Sequence, residues 1–428
     1  MRYRGSVILV FTVLILLLVS FFIPDLRNGE SSENRSMATF DMVLHPDPDS
    51  ITYRESPVER LDAALFDQFP YREKFVKRYL SIFNASEGMA SSIAKLFLLK
   101  VANQYSLTAV GNYQLIEDTN YITVFPPTKP MNPDIVSRRV SQIERLHKEF
   151  PDLKFYVYYV SQAFDMPWWE SYIGTKTADH YQEILDAVPS YVKCSHLVYR
   201  DLDDYMEIHY KTDHHWNHRG AKRGYEDIYA MMSKDFPMGN LLVPVSENHV
   251  SETYDFVYLG SYGRGLGELY SGGYDPFSFY EYDYPEETYA VLNSETHEEI
   301  EVVCMGIYDE YREGNINKNI GTDHYITMYH IAIGVDGVRY AEQYPYIIRN
   351  AEGNGRNLLI CGDSYNRAMR DLLASNFSTL VYVDYRILKD NPIDYLIKRY
   401  NIDTLLISSN TSMWDSEEYL FTFEEGDE

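Results

Sequence analysis

Two short stretches of this chain hold side chains that could do chemistry together. Residues 211–221 read KTDHHWNHRGA, with Asp213, His214, His215, Trp216 and His218 packed into one turn of sequence. Residues 357–373 read NLLICGDSYNRAMRDLL, an apolar run that enters Gly362-Asp363-Ser364 and then a helix-like pattern. A serine at a tight strand-to-helix turn projects its hydroxyl from the carboxyl edge of a sheet. Its own N–H, at the start of the helix, faces the place where an oxyanion would form. Ser364 is a weak nucleophile without a base. Asp213 and His215 supply one if His215 reaches Ser364, with Asp213 fixing the imidazole tautomer and Trp216 packing behind the ring. In an extended segment His214 would point the other way.

Two other readings of the same residues stand beside this one. His214 and His218 are four apart, with His209 and Asp213 close by, and on one helix such a pair seeds a zinc site. The glutamate of a His-Glu-x-x-His motif is absent, however, and no third ligand announces itself. Alternatively the segment is a polar turn, and Gly-Asp-Ser is ordinary turn chemistry with Asp363 or Ser364 capping a helix. Only the triad accounts for both stretches at once.

The elements that must position these groups follow from periodicity. Residues 133–151 form an amphipathic helix stopped by proline. Residues 153–161 form a strand whose unbroken apolar character suits a sheet covered on both faces. A helix at 177–192, a strand over HLVYRD (196–201) and a helix from Asn217 come next. After residue 350 the rhythm is strand 357–361, helix 365–375, strand 379–384, helix 392–400 and strand 403–408. Such alternation implies a mostly parallel sheet between helices. Residues 56–106 read helical with a break at Pro70, and 107–123 as short β segments. Residues 240–350 are rich in tyrosine and glycine and read as a β-rich insertion.

The N-terminus is basic at Arg2 and Arg4, and residues 7–23 are uncharged and apolar. At about 1.5 Å per residue they span roughly 26 Å, enough for a bilayer core. The positive flank places the N-terminus inside, and no small-residue cleavage site follows. The expectation is a single-pass membrane protein with its bulk extracytoplasmic, or a cleaved and secreted one. The expected organisation is a signal anchor at 1–27, a linker at 28–55, an α/β domain at 56–415 with the insertion at about 240–350, and an acidic tail at 416–428. The three cysteines form no disulfide framework. Cys194 and Cys304 could pair, and Cys361 reads as a buried thiol. A net charge of −26 without a basic cluster excludes nucleic acid as a partner. The 40 tyrosines give flat amphipathic surface that suits sugar faces or wet interfaces.

The Gly362-Asp363-Ser364 turn and the Asp213-x-His215-Trp216 segment resemble those of the SGNH-hydrolase superfamily. Here Asp-His precedes the serine, an order similar to that of alginate O-acetyltransferase-like proteins. The literal Asp213-His214-His215-Trp216 resembles the signature of the DHHW family, which belongs with them. ALFDQFPYREKFVK (64–77) resembles the Asp-x-Phe-Pro-Phe-Arg segment of that group, with Tyr71 in place of a phenylalanine. The resemblance implies an SGNH-like three-layer α/β/α domain outside the membrane. It implies a Ser364-His215-Asp213 triad that transfers acetyl to a polysaccharide hydroxyl, with a membrane-bound O-acyltransferase as donor and no cofactor. The superfamily's oxyanion asparagine would fall near Asn410. Gly362, Tyr365, Arg367 and Trp216 are the further candidates for oxyanion or substrate contacts, Arg367 being equally readable as a structural ion pair. A loop from 258 to 267 would lie over the site. Two other classes remain open at this point: a non-catalytic glycan-binding partner of a membrane acyltransferase, and a zinc-dependent hydrolase.

Overall fold

The computed structural model describes residues 107–110, 113–116, 121–124, 129–170, 177–249, 257–266, 274–306, 320–321, 330–334, 339–340 and 344–424, with isolated positions before them. The expected anchor, linker and most of the helical segment 56–106 lie outside the described residues. Among those described, no helix is long and apolar enough to cross a membrane.

The framework runs α1 (Pro133–Glu149), β1 (Lys154–Tyr159), α2 (His180–Ala187), β2 (Lys193–His196), α3 (Leu202–Ile208) and α4 (His218–Met232). It continues with β3 (Glu287–Leu292), β4 (Glu299–Gly306), β5 (His330–Gly334), β6 (Arg339–Tyr340) and β7 (Tyr346–Asn350). It ends with β8 (Asn357–Gly362), α5 (Arg367–Ala374), β9 (Thr379–Val383), α6 (Ile393–Arg399), β10 (Thr404–Ser409) and α7 (Thr411–Asp415). All ten strands form one sheet in the order β6-β5-β4-β3-β7-β9-β8-β10-β1-β2.

Strands β9, β8, β10, β1 and β2 pair in parallel. β9, β8, β10 and β1 are buried almost throughout, while β2, at the edge, is partly exposed. In β8, Leu358 and Ile360 join the apolar cluster shared with α4 and α5, while Leu359 and Cys361 join the cluster under α1 and α6. Strict alternation into two cores is what a continuous apolar strand between helical layers requires. The expected three-layer α/β/α arrangement is therefore present in this half.

The other half departs from the expectation of a mostly parallel sheet. β9 to β7, β7 to β3, β3 to β4, β4 to β5 and β5 to β6 are all antiparallel. Much of the region read as an insertion therefore extends the central sheet. Antiparallel neighbours need no crossover helix, so the α/β rhythm vanished from the sequence while the sheet went on. Three smaller sheets, at 107–124, at 244–249 with 278–282, and at 257–258 with 275–276 and 320–321, surround it.

Three local expectations need correction. The strand expected over HLVYRD is Lys193–His196, and α3, which was not expected at all, follows it. The Cys194–Cys304 pair is not made: Cys194 is a free thiol, and β2 and β4 lie seven places apart in the sheet. Nor does the acidic segment after residue 415 trail away. Tyr419, Leu420, Phe421 and Phe423 are buried on α1. Gln142 there pairs with both the N–H and the carbonyl of Phe421 at 2.9 Å, and the Arg139 guanidinium lies 4.5 Å from the Phe421 ring. The apolar residues between the acids outweigh them.

Candidate active site

Ser364 stands where β8 ends. The chain turns through Asp363, whose carboxylate accepts from the Tyr365 N–H, into a single 3-10 turn, Ser364–Asn366, that leads into α5. Gly362 is needed for close approach. A Cβ there would lie 2.1 Å from Asn366 Nδ2 and 2.6 Å from the Ser408 carbonyl. Asn366 uses that space to donate to the Ser408 carbonyl at 2.6 Å, tying the turn to β10. Tyr382 on β9 donates to the Asp363 carbonyl at 2.9 Å from the opposite neighbour.

The second element is the loop between α3 and α4. Its ends meet in a bridge between His209 and Trp216, and α4 begins on Asn217, whose side chain accepts from the Arg219 and Gly220 N–H groups. Asp213, His214 and His215 sit at its tip. Asp213 Oδ1 accepts from His215 N at 2.9 Å and from His215 Nδ1 at 2.6 Å. His215 Nε2 lies 2.7 Å from Ser364 Oγ. With Nδ1–H donating to Asp213, Nε2 is left to accept from the serine hydroxyl. Asp213 and His215 are each 2 % exposed and Ser364 is 9 % exposed, so little water competes for these bonds. Burial by itself would raise the Asp213 pKa. The neighbouring His214 and His215 and hydrogen bonds from His215 and Tyr258 outweigh it and hold the carboxyl well below its usual range.

A clasp from residues 258–275 fixes the loop. Asp213 Oδ2 accepts from Tyr258 Oη at 2.7 Å and from Ser261 N at 2.6 Å. Thr212 Oγ1 accepts from Gly260 N at 2.9 Å, and the Thr212 carbonyl from Gly263 N at 2.8 Å. Asp275 accepts from Lys211 N, Thr212 N and Thr212 Oγ1 at 2.8, 2.9 and 2.5 Å. Burial pushes the Asp275 carboxyl up to about 6 against those hydrogen bonds. The clasp leaves no room at Gly260, where a Cβ would lie 2.3 Å from Asp213 Cβ. Tyr258, Gly260 and Ser261, in the segment expected to lie over the site, therefore grip the loop that carries the aspartate.

The remaining candidates divide. Tyr365 braces the loop: its ring centroid is 4.8 Å from that of His215, and its hydroxyl donates to the His214 carbonyl at 2.7 Å. Trp216 is fully buried, edge-on to Tyr365 at 5.7 Å, and so close to α4 that a Cβ at Gly224 would come within 2.8 Å of it. It anchors the loop to the helix, and the rings packed on His215 include those of Tyr365 and His214. Arg367 is 5 % exposed, with its charge close to the Tyr382 phenol. Asn410 caps α7, its Oδ1 accepting from Ser412 N at 2.9 Å. Asn410 follows β10 directly and caps α7 through Oδ1, which leaves its Nδ2 donor outside the cap.

His214 does not point away. The loop bends at its tip, placing the His214 ring 3.8 Å from that of His215 and its Nδ1 2.9 Å from Ser261 Oγ. The helical histidine pair is not realised: His214 precedes α4, and His218 Nε2 turns to Glu247 at 2.9 Å. Among the described residues, the group able to converge on a metal ion is Asp213, His214 and His215, with ligand atoms within 4.8 Å of one another. That group includes the pair hydrogen-bonded to Ser364, so an ion there would compete with the triad geometry. Tyr258, Ser261, Thr212 and Asp275 were not foreseen. The closely spaced glycines 260 and 263 were the available signal of close backbone approach, and nothing local marked Asp275.

No family model and no curated protein sequence matches the chain. Solved structures do. The fold is similar to that of a DHHW family protein from Eubacterium siraeum, with a TM-score of 0.52 and 16% identity over 73% of this chain and 95% of that one. Bacillus cereus PatB1 gives the same TM-score and identity over 73% of this chain and all (100%) of its own. At such identity the likeness is one of fold, and it agrees with the architecture that the two motifs implied.

Proposed function

We propose that this protein is a serine-dependent O-acyltransferase or esterase that moves acetyl groups on a glycan outside the cytoplasm, with Ser364, His215 and Asp213 as its triad. The observation that carries the reading is the continuous chain from Asp213 Oδ1 through His215 to Ser364 Oγ, with contacts of 2.6 and 2.7 Å. Ser364 Oγ attacks the donor carbonyl while His215 Nε2 takes its proton, and the ionised Asp213 stabilises the imidazolium. The Ser364 N–H, at the start of the 3-10 turn, faces the developing oxyanion. Collapse expels the leaving group, protonated by His215, and leaves acetyl-Ser364. A sugar hydroxyl deprotonated by His215 then attacks, and acetyl passes to the sugar; water in its place gives hydrolysis. The resemblance supports a polysaccharide acceptor, a membrane-bound O-acyltransferase donor and an N-terminal anchor.

The test is intact-mass spectrometry after incubation with an activated acetyl ester. Wild type should gain one acetyl group, and Ser364→Ala and His215→Ala should not. A Ser364→Ala protein that acquires the adduct, or turns over the ester at the wild-type rate, would sink the reading.

A further inference from the structure

A cavity of about 310 Å³ lies at the root of the loop whose tip reaches Ser364. His209 and Tyr210, which enter that loop, and Asn217 and His218, which leave it, form one wall. Glu247, His249 and residues 275–278 form the other. We propose that this cavity binds one neutral sugar residue of the acceptor glycan, away from the hydroxyl that is acylated. The proposal rests on the acyl-transfer reading for its choice of substrate, and on the cavity's own chemistry for the site.

Size is the first argument. The volume is at the low end for small-molecule sites, and suits one hexose ring better than an extended chain. Chemistry is the second. Tyr210 and Phe277 back the cavity as buried rings, 12° from parallel with centroids 6.5 Å apart. Beside them the Glu247 carboxylate is fixed by His218 Nε2 and Arg219 Nη2, each at 2.9 Å. A pyranose has an apolar C–H face and a rim of hydroxyls that both donate and accept. The pre-oriented carboxylate and guanidinium match that rim.

Charge excludes the rivals. Carboxylates of Glu207, Glu247 and Asp275 face a single guanidinium, that of Arg219, so a phosphate or uronate would meet net repulsion. An acyl chain would cover the polar rim of the cavity without offering it a hydrogen bond. Among the described residues these groups do not converge closely enough to hold a metal ion. Asp275 also connects the site to chemistry. It lines the cavity and holds Lys211 and Thr212, the two residues before Asp213. A glycan residue seated here would lie against the loop that carries the catalytic base.

The experiment is saturation-transfer NMR on the full-length chain carrying Ser364→Ala, so that binding is read without turnover. The probes are tetramers of glucose, galactose, mannose and N-acetylglucosamine, with tetragalacturonate as the anionic control. At least one neutral tetramer should bind, and Glu247→Gln and Arg219→Gln, added separately, should each weaken it at least tenfold while keeping the thermal melting profile. Absence of binding by every neutral tetramer, preference for the galacturonate, or binding untouched by both substitutions would overturn the subsite. Acetyl-enzyme formation without sugar binding would sink the subsite alone. Sugar binding without acetyl-enzyme would sink the catalytic reading alone.

Discussion

The serine and the aspartate–histidine pair are held by different forces. Ser364 ends a strand flanked by two parallel neighbours, with Leu358, Leu359 and Ile360 fully buried beneath it. Apolar packing and the backbone ladder place it. Asp213 and His215 sit on a loop of bends outside the central sheet. Its buried polar groups are satisfied one by one, by Tyr258, Gly260, Ser261 and Asp275 from a segment far along the chain. Hydrophobic burial is non-directional and strong in sum; hydrogen bonds are weak net contributors but fix angles. The nucleophile is thus secured by what stabilises the fold, and the base by contacts that contribute mainly orientation. Damage near the serine should appear as lost stability, and damage in the clasp as lost rate.

The sharpest test of the comparison is Asp213→Asn. The amide cannot accept from both His215 nitrogens and from the Tyr258 and Ser261 donors, so the imidazole loses its tautomer. The kcat for an activated acetyl ester should fall by roughly 10⁴ with the fold retained; a loss below tenfold would remove Asp213 from the mechanism. Leu359→Ala lies on the other side. Truncating this fully buried side chain should cost about 2–5 kcal/mol of unfolding free energy in a denaturant titration. The kcat per folded molecule should stay within about threefold of wild type, because a packing loss inside the strand does not reach the hydrogen bonds of the triad. A large rate loss there would break the division.

Gly260→Ala attacks the clasp by volume. A methyl 2.3 Å from Asp213 Cβ must displace the aspartate, and a shift near 1 Å costs about 10² in kcat. A crystal structure of the variant with Asp213 unmoved, or an unchanged rate, would contradict the close approach. Tyr258→Phe is the mildest change. It removes one of the two donors to Asp213 Oδ2, worth about 1–1.5 kcal/mol, so kcat should fall about tenfold with little change in melting temperature. Equal effects on rate and stability would blur the distinction between the two regions.

Much of the serine's side was legible in advance. The strand 357–361, the Gly-Asp-Ser turn, the following helix and the next two strands lie within a residue or so of their expected places. Apolar runs bounded by turn residues report burial on both faces, and burial is what the sheet demands. The loop's side was legible only in its residue types. Asp213, His215 and a helix from Asn217 could be named, but not the bend that turns His214 back against His215. Asn410 shows the limit from another direction. Strand order suggested an oxyanion role but not that its Oδ1 also caps a helix beginning at the next residue.

By itself, the sequence determined the local elements of this protein: which runs are doubly buried, where helices start, and which side chains are fit for acyl transfer. Those follow from periodicity and capping, which involve residues only a few positions apart. Tertiary structure alone decided that His215 meets Ser364 across 149 positions, that much of the tyrosine-rich region completes the sheet, and that Asp275 and Tyr258 hold the base in place. An apolar or polar pattern states that a side chain must be buried or satisfied. Which distant partner does so depends on the packing of the whole chain, since the same hydrogen bond can be offered by many residues and only the fold brings one of them within reach.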